Sequence, residues 1–331
     1  MIPGYRDNVA ASWDVLAIGG LSRSWRESAA RCHEEQMTLV SDAMASPLRS
    51  PVRVPAEPAP LPGLTISDWR AFDSIPSGTI DALNHRYRAA EPFPHLVLDD
   101  FFAPAILDDI VAEFDTMRPS DWLAYTHALQ TKLATRPNTL LPRAAQNYFD
   151  RLYSGPFVRF LSKVTGIPNL VTDPGLSGGG MHQIGGGGRF DVHVDFQKHP
   201  ENKLDNRLVV ITYLNRDWRE EYGGRLELWR QNPAECATIV LPKFGRTLIM
   251  EESLRGAHGH PQPVNAPDGR PRRSVAAYFY TNGRDDGFGG DGLKTAYVHR
   301  PGRTPRQRLE LLAQQLLPPI IVSGIKALTR R

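Results

Sequence analysis

From about residue 170 the chain breaks into short runs: Met181 to Ile184, Phe190 to Phe196, Arg207 to Leu214, Arg225 to Trp229, Thr238 to Leu241, Thr247 to Met250 and Arg273 to Tyr280. Gly, Pro and Asn part them. Runs of this length are strands rather than helices, and turn residues recurring every roughly 8–12 residues join them as antiparallel neighbours. A chain of many short antiparallel strands removes its open edges by closing into a sandwich or barrel. The second half is therefore expected to be a β-barrel.

The first half reads differently. Thr79 to Ala90 has a short helical pattern and Phe93 to Phe101 reads as a strand. Pro104 to Met117 places Ile106, Ile110, Val111 and Phe114 at helical spacing, and Leu140 to Thr165 repeats the signature through Tyr148, Leu152, Phe157, Phe160 and Leu161. Residues 9–45 can be helical, with Trp13, Leu16 and Trp25, and six prolines between Ser46 and Gly63 favour extended chain. At the other end, Pro305 to Leu317 reads as a helix, Pro318-Pro319 as a break, and Ile320 to Arg331 as a short basic helix. The expected organisation is a helical appendage (1–45), a Pro-rich linker (46–64), a helical support region (65–170), a strand-rich core (171–284) and a tail with helices (285–331).

Composition narrows the function classes. Lys and Arg total 39 against 36 Asp and Glu, a net charge of only +3, and 32 of the cations are Arg scattered without a block, so nucleic acid is not an expected partner. No run approaches 18 apolar residues and the N-terminus lacks a basic head followed by an apolar run, so a cytoplasmic protein without a membrane span is expected. Two cysteines, Cys32 and Cys236, exclude a disulfide framework. A partner or a second copy could dock through residues 1–64.

The chemistry concentrates in Phe190-Asp191-Val192-His193-Val194-Asp195-Phe196. Strand side chains two apart share a face, so His193 and Asp195 can hold one ion together, with Asp191 a step further along that face. His-x-Asp alone is often just a hydrogen-bonded pair. A third ligand would come from Gly256-Ala257-His258-Gly259-His260-Pro261, through either His. Two His and one carboxylate with open positions suit non-haem Fe(II), and zinc would accept the same donors. On the last strand Arg272, Ser274 and Ala276 share a face. An Arg there either receives a carboxylate bidentately, helped by the Ser hydroxyl, or forms an internal salt bridge, while Arg273 would face solvent.

The stretches GGGMHQIGGGGRFDVHVDF, ITYLNRDWREEYGGRLELW, and HGHPQPV followed by RRSVAAYFYT resemble the Fe(II)- and 2-oxoglutarate-dependent oxygenase superfamily, in its prolyl-4-hydroxylase-like branch. The resemblance is densest from about 171 to 284 and does not reach residues 1–64. It implies an α+β fold with a mainly β core: a double-stranded β-helix (jelly-roll, cupin-like) barrel with supporting N-terminal and C-terminal helices. It implies iron ligands at His193, Asp195 and His258, the last preferred over His260 because related sequences resemble HGxP. It implies a contact from Arg272 to the distal carboxylate of 2-oxoglutarate, with Tyr213 on the same group, Ser274 as a helper, and Gln183 where hypoxia-type prolyl hydroxylases carry a Tyr.

The implied cofactors are Fe(II), 2-oxoglutarate and O2, and the implied reaction oxidises a C–H bond while releasing succinate and CO2. Asp195 argues against halogenation, for which related enzymes give up the carboxylate. The loops 197–206 and 215–224, with Trp218 and Tyr222, are expected lids. Their mix of charge and aromatics, together with Gln183, favours a polar small molecule, natural product or sugar (glycan) as substrate over a free or peptidyl proline. A non-catalytic carboxylate- or sugar-binding barrel and a zinc hydrolase are the rivals.

Overall fold

The strand-rich half forms two four-stranded antiparallel layers, and the chain passes back and forth between them. The computed structural model describes residues 65–66, 69–284, 292–298 and 300–316, all inside the unit Arg53–Arg331. The appendage 1–45, the linker 46–64 and the basic helix from Ile320 lie outside the described residues.

In chain order the elements are α1 (Ser77–Ala89), β1 (His95–Leu98), α2 (Pro104–Glu113), β2 (Trp122–His127), β3 (Gln130–Thr135), α3 (Arg143–Leu152), α4 (Gly155–Thr165) and β4 (Val171–Thr172). The barrel strands follow: β5 (Gly180–Ile184), β6 (Arg189–Val194), β7 (Asp205–Tyr213), β8 (Leu226–Gln231), β9 (Ala234–Val240), β10 (Thr247–Glu251), β11 (His258–His260) and β12 (Arg272–Thr281). A short β13 (Ala296–Tyr297) and α5 (Pro305–Leu316) complete them.

Spatial order explains the architecture. One layer runs β10-β7-β12-β5 and the other β6-β11-β8-β9, with β3 hydrogen-bonded to both β5 and β6 along one side. Because β5, β7, β10 and β12 lie in the first layer and β6, β8, β9 and β11 in the second, the chain winds between layers as a jelly roll. This is the expected double-stranded β-helix.

Alternation sorts the side chains. On β7 and β12, Leu208, Val210, Val275, Ala277 and Phe279 point outward and pack with Tyr148, Phe157 and Phe160 of α3 and α4. Val209, Tyr213, Ala276 and Tyr278 point inward against Leu226, Leu228 and Val240 of the second layer. Helix α3 is pinned by a buried chain of hydroxyls, Tyr148 Oη to Thr212 Oγ1 at 2.8 Å and Thr212 to Thr247 at 2.8 Å. The helices thus seal the outer face of the first layer, and removing a ring such as Phe160, 1% exposed, would cost about 3–5 kcal/mol.

The region 65–170 is more than helical support. Strand β1 extends the first layer beside β10, and the β2–β3 hairpin, absent from the sequence reading, links the two layers. Its loop residues Ala128-Leu129 carry none of the Gly, Asn, Asp or Pro that announce a hairpin. From the other side β13 pairs with β6, so the sheet also draws on the tail expected after residue 284.

Candidate metal and anion site

Three ligand atoms from His193, Asp195 and His258, all buried, lie within 4.8 Å of one another. Strand pairing produces this: His258 of β11 sits directly across from His193 of β6, and Asp195 follows just past the end of β6. His193 Nδ1 is 2.7 Å from the Asp191 carbonyl and His258 Nδ1 is 2.8 Å from the Gly256 carbonyl. Each Nδ1–H therefore donates to backbone, which leaves both Nε2 lone pairs facing inward.

Nε2 of His193 is buried and has no hydrogen-bond partner, yet it lies 3.2 Å from Asp195 Oδ1, while His258 Nε2 lies 3.7 Å from Oδ2. Lone pairs converging on a carboxylate at these distances are relieved by a cation between them, so the donor set fits a divalent metal. Burial and the neighbouring His193 pull His258 down to about 4, which keeps it neutral at pH 7. Burial pushes the Asp195 carboxyl up, but His193, His258 and the Tyr278 hydroxyl outweigh it and hold the group well below the usual carboxylate value. Tyr278 donates to Asp195 Oδ2 at 2.6 Å, and Gln197 Nε2 donates to the Asp195 carbonyl at 2.9 Å.

The simple alternation of β6 fails at one point. Between the pairs His258–His193 and His260–Phe190, β6 spends three steps where β11 spends two, a bulge of one extra residue. Asp191, expected on the inward face, instead points away and pairs with Arg300 and with Arg303 Nε, the latter at 2.7 Å. Phe190 takes the inward place and stacks on His193, centroids 3.6 Å apart and planes at 21°. A side chain at Gly259 would bring its Cβ to 2.8 Å from the Asp191 carbonyl oxygen and 2.9 Å from that of Phe190, so the bulged strand can lie against β11 only because residue 259 is Gly.

The same cavity, of about 60 Å³, is lined by Arg272, Tyr213 and Ser274 together with the three converging residues. Arg272 is buried, its Nε donates to the Gly224 carbonyl at 2.7 Å, and its guanidinium lies 5.0 Å from the centre of the Tyr213 ring. Gly224 has φ +64°, and a Cβ there would meet Arg272 Cδ at 2.9 Å. No carboxylate pairs with Arg272 among the described residues, which removes the internal salt bridge as its role. The Tyr213 hydroxyl is buried without a hydrogen-bond partner; burial raises its pKa, with Arg272 opposing. An unpaired guanidinium, an orphaned hydroxyl and a Ser side by side form a receptor for a carboxylate.

Two expectations need correction. Gln183 does not reach the cavity. It pairs with Arg273 across β5 and β12, and its Oε1 accepts from Arg273 Nε at 2.9 Å on the outer face. His182 and Ile184, its neighbours of opposite parity, face inward. Arg273 is not simply solvated either: it lies against the Phe114 ring and pairs with Asp115. His260 also lines the cavity but stands outside the group of converging ligand atoms. In the loops expected as lids, Lys198 and Asp205 pair with each other at 2.6 Å, and Trp218 is buried with Nε1 donating to the Gly223 carbonyl.

Sequence reasoning missed Lys132, His182, Phe190 and Tyr278 as cavity residues. Tyr278 shares the parity of Arg272, Ser274 and Ala276, a signal that could have found it; Lys132 arrives on the unrecognised hairpin.

Residues 179–280 match the sequence model of the 2OG-Fe(II) oxygenase superfamily. This segment is a 2OG-Fe(II) oxygenase domain, and the protein that carries it is an oxidoreductase of the kind that uses Fe(II), 2-oxoglutarate and O2. No protein of curated function matches the chain in sequence.

Among solved structures, a prolyl-4-hydroxylase from Pseudomonas putida is similar at 14% identity and TM-score 0.45, over 62% of this chain and 99% of that one. A prolyl hydroxylase from Trichoplax adhaerens, in complex with a hypoxia-inducible-factor oxygen-degradation-domain peptide, is similar at 13% identity and TM-score 0.47, over 65% and 94%. HygX from Streptomyces hygroscopicus, with nickel and 2-oxoglutarate bound, gives 13% identity and TM-score 0.40 over 62% and 91%. Among the described residues no helix is long and apolar enough to cross a membrane.

Proposed function

We propose that this protein oxidises a C–H bond of a polar small molecule, natural product or sugar, with Fe(II) held by His193, Asp195 and His258. The observation that carries the reading is the placement of three convergent metal donors and an unpaired Arg272 in one buried cavity. Arg272 and the Tyr213 hydroxyl would take the distal carboxylate of 2-oxoglutarate, with Ser274 beside them. When bound, the iron and 2-oxoglutarate supply the oxidising chemistry, in which 2-oxoglutarate becomes succinate and CO2.

The remaining work belongs to the chain. The Asp191 and Gly256 carbonyls keep each imidazole in the tautomer that presents Nε2, and Tyr278 fixes the Asp195 carboxylate by its Oδ2. Phe190 covers one face of His193 and restricts water there. A vestigial binding barrel would have no need of this full set, and a zinc hydrolase leaves Arg272 and Tyr213 without a partner.

The test is an anaerobic titration of the Fe(II)-loaded protein with 2-oxoglutarate, followed by aerobic incubation with pooled metabolites, glycans and proline peptides. Saturable 2-oxoglutarate binding, with succinate release stimulated by a small polar compound that gains one oxygen, is expected. A gain of oxygen on proline alone would move the assignment to a prolyl hydroxylase, and no 2-oxoglutarate binding would end the oxygenase reading.

A further inference from the structure

The cavity holds more positive charge than iron and 2-oxoglutarate require. His182 lines it, but burial, joined by Lys132, lowers it to about 3. It is neutral at pH 7. The fixed charges left are Arg272 and Lys132 against Asp195. Fe(II) and the two carboxylates of 2-oxoglutarate cancel one another, and Asp195 cancels one of the two cations. One positive charge remains.

Lys132 is where it resides. Strand β3 delivers the side chain between β5 and β6, and its Nζ lies 4.5 Å from the centre of the Phe190 ring and 5.5 Å from that of Tyr125. Among the described residues it has neither an ion pair nor a hydrogen bond. The face of a ring attracts an ammonium but satisfies none of its three N–H donors. Burial lowers the amine to about 8, Asp195 opposing and Arg272 adding to the drop, so it is still mostly protonated at pH 7. The Phe190 ring in turn stacks 3.6 Å from His193. These two contacts place the amine within about 8 Å of an imidazole of the metal site.

We infer that Lys132 recognises a carboxylate on the substrate, so that the molecule oxidised is a small organic acid. Its carboxylate sits on Lys132 beside the Phe190 ring and its reactive carbon reaches toward His193, Asp195 and His258. A monoanionic carboxylate matches a single leftover charge on a compact point-charge donor, whereas a phosphate carries more charge than one amine offsets. The inference rests on the oxygenase reading and names the substrate class for that site.

The experiment titrates butyrate and benzoate, and their neutral counterparts butyramide and benzamide, into the Fe(II)-loaded protein. It is done anaerobically with 2-oxoglutarate saturating, so that Arg272 is already occupied. Calorimetry should give acids binding at least tenfold tighter than amides, the scale of a hydrogen bond to a charged group. In Lys132→Met and Lys132→Gln the preference should fall to within twofold, while 2-oxoglutarate affinity changes less than twofold. Acids binding no better than amides to the wild type would overturn the inference. So would a tenfold loss of 2-oxoglutarate affinity in both variants with the acid preference intact, because Lys132 would then serve the cosubstrate. Failure of 2-oxoglutarate itself to bind the wild type is a separate result and refutes the oxygenase reading instead.

Discussion

Replacing Tyr278 by Phe should weaken metal binding without unfolding the barrel. The hydroxyl donates to Asp195 Oδ2 at 2.6 Å, a short bond to a charged acceptor in a buried site. Bonds of that kind are worth about 1.5–3 kcal/mol, or roughly 10- to 150-fold if the whole effect passes to the ligand carboxylate. Phe keeps the ring, and with it the contact to Phe196 at 5.0 Å, so no cavity opens. Burial, reinforced by Asp195, drives the Tyr278 hydroxyl well above its usual value. It therefore stays a donor throughout the neutral range, and the loss should be the same at pH 6 and pH 8. The assay is a competition titration of Mn(II) or Co(II) against a chromophoric chelator, with the melting temperature of metal-free protein as the folding control. Metal affinity within twofold of the wild type, in a variant that melts normally, would refute the argument that Tyr278 holds Asp195 in its binding orientation.

His258→Ala should abolish metal binding and 2-oxoglutarate turnover while His260→Ala retains both; the opposite pattern in the same titration would exchange their roles. Arg272→Ala should raise the 2-oxoglutarate dissociation constant about 10- to 150-fold in an anaerobic titration, whereas Arg273→Ala, which loses outer contacts with Gln183, Val111, Phe114 and Asp115, should leave it unchanged. Glu252 is fully buried with neither carboxylate oxygen hydrogen-bonded, and burial first, then Asp195, raises its pKa well above 4.5. Its contribution to stability is full below about pH 4.5, where the unfolded chain also holds the proton, and is lost as pH rises toward the raised folded value. Glu252→Gln should accordingly lose less stability than the wild type between pH 5 and pH 8 in denaturant titrations; equal pH slopes would contradict this.

The barrel was legible because its strands combine short alternating runs with strong turn residues, and each of the seven runs read from the sequence became a strand. His193, Asp195, His258, Arg272, Tyr213 and Ser274 meet in one cavity because strand parity and pairing act as the motifs imply. The failures have equally local causes. The β2–β3 hairpin lacks turn residues, so Lys132 stayed hidden. Gln183 takes its expected place from a position of the resembling family, but the pairing of Arg272 with Ile184 and of Ser274 with His182 fixes which parity of β5 faces inward, and Gln183 has the other. Asp191 was misplaced because alternation presumes a regular strand, and a bulge leaves no mark in a single sequence beyond the Gly it presses against.

That extra residue in β6 acts as a phase change written into the backbone. Upstream of it, side chains keep one beat; downstream, His193 and Asp195 keep the other. A regular strand of the same sequence would leave the His-x-Asp spacing untouched, yet its parity would turn Phe190 off the imidazole and swing Asp191 away from Arg300 and Arg303 toward the face that carries His193 and Asp195. The strand would then present a surplus carboxylate to a metal and surrender its grip on the segment that follows β13. One inserted position therefore lets a single strand serve two neighbours of opposite character, with an aromatic cover on the reactive side and an anionic anchor for the chain end on the other.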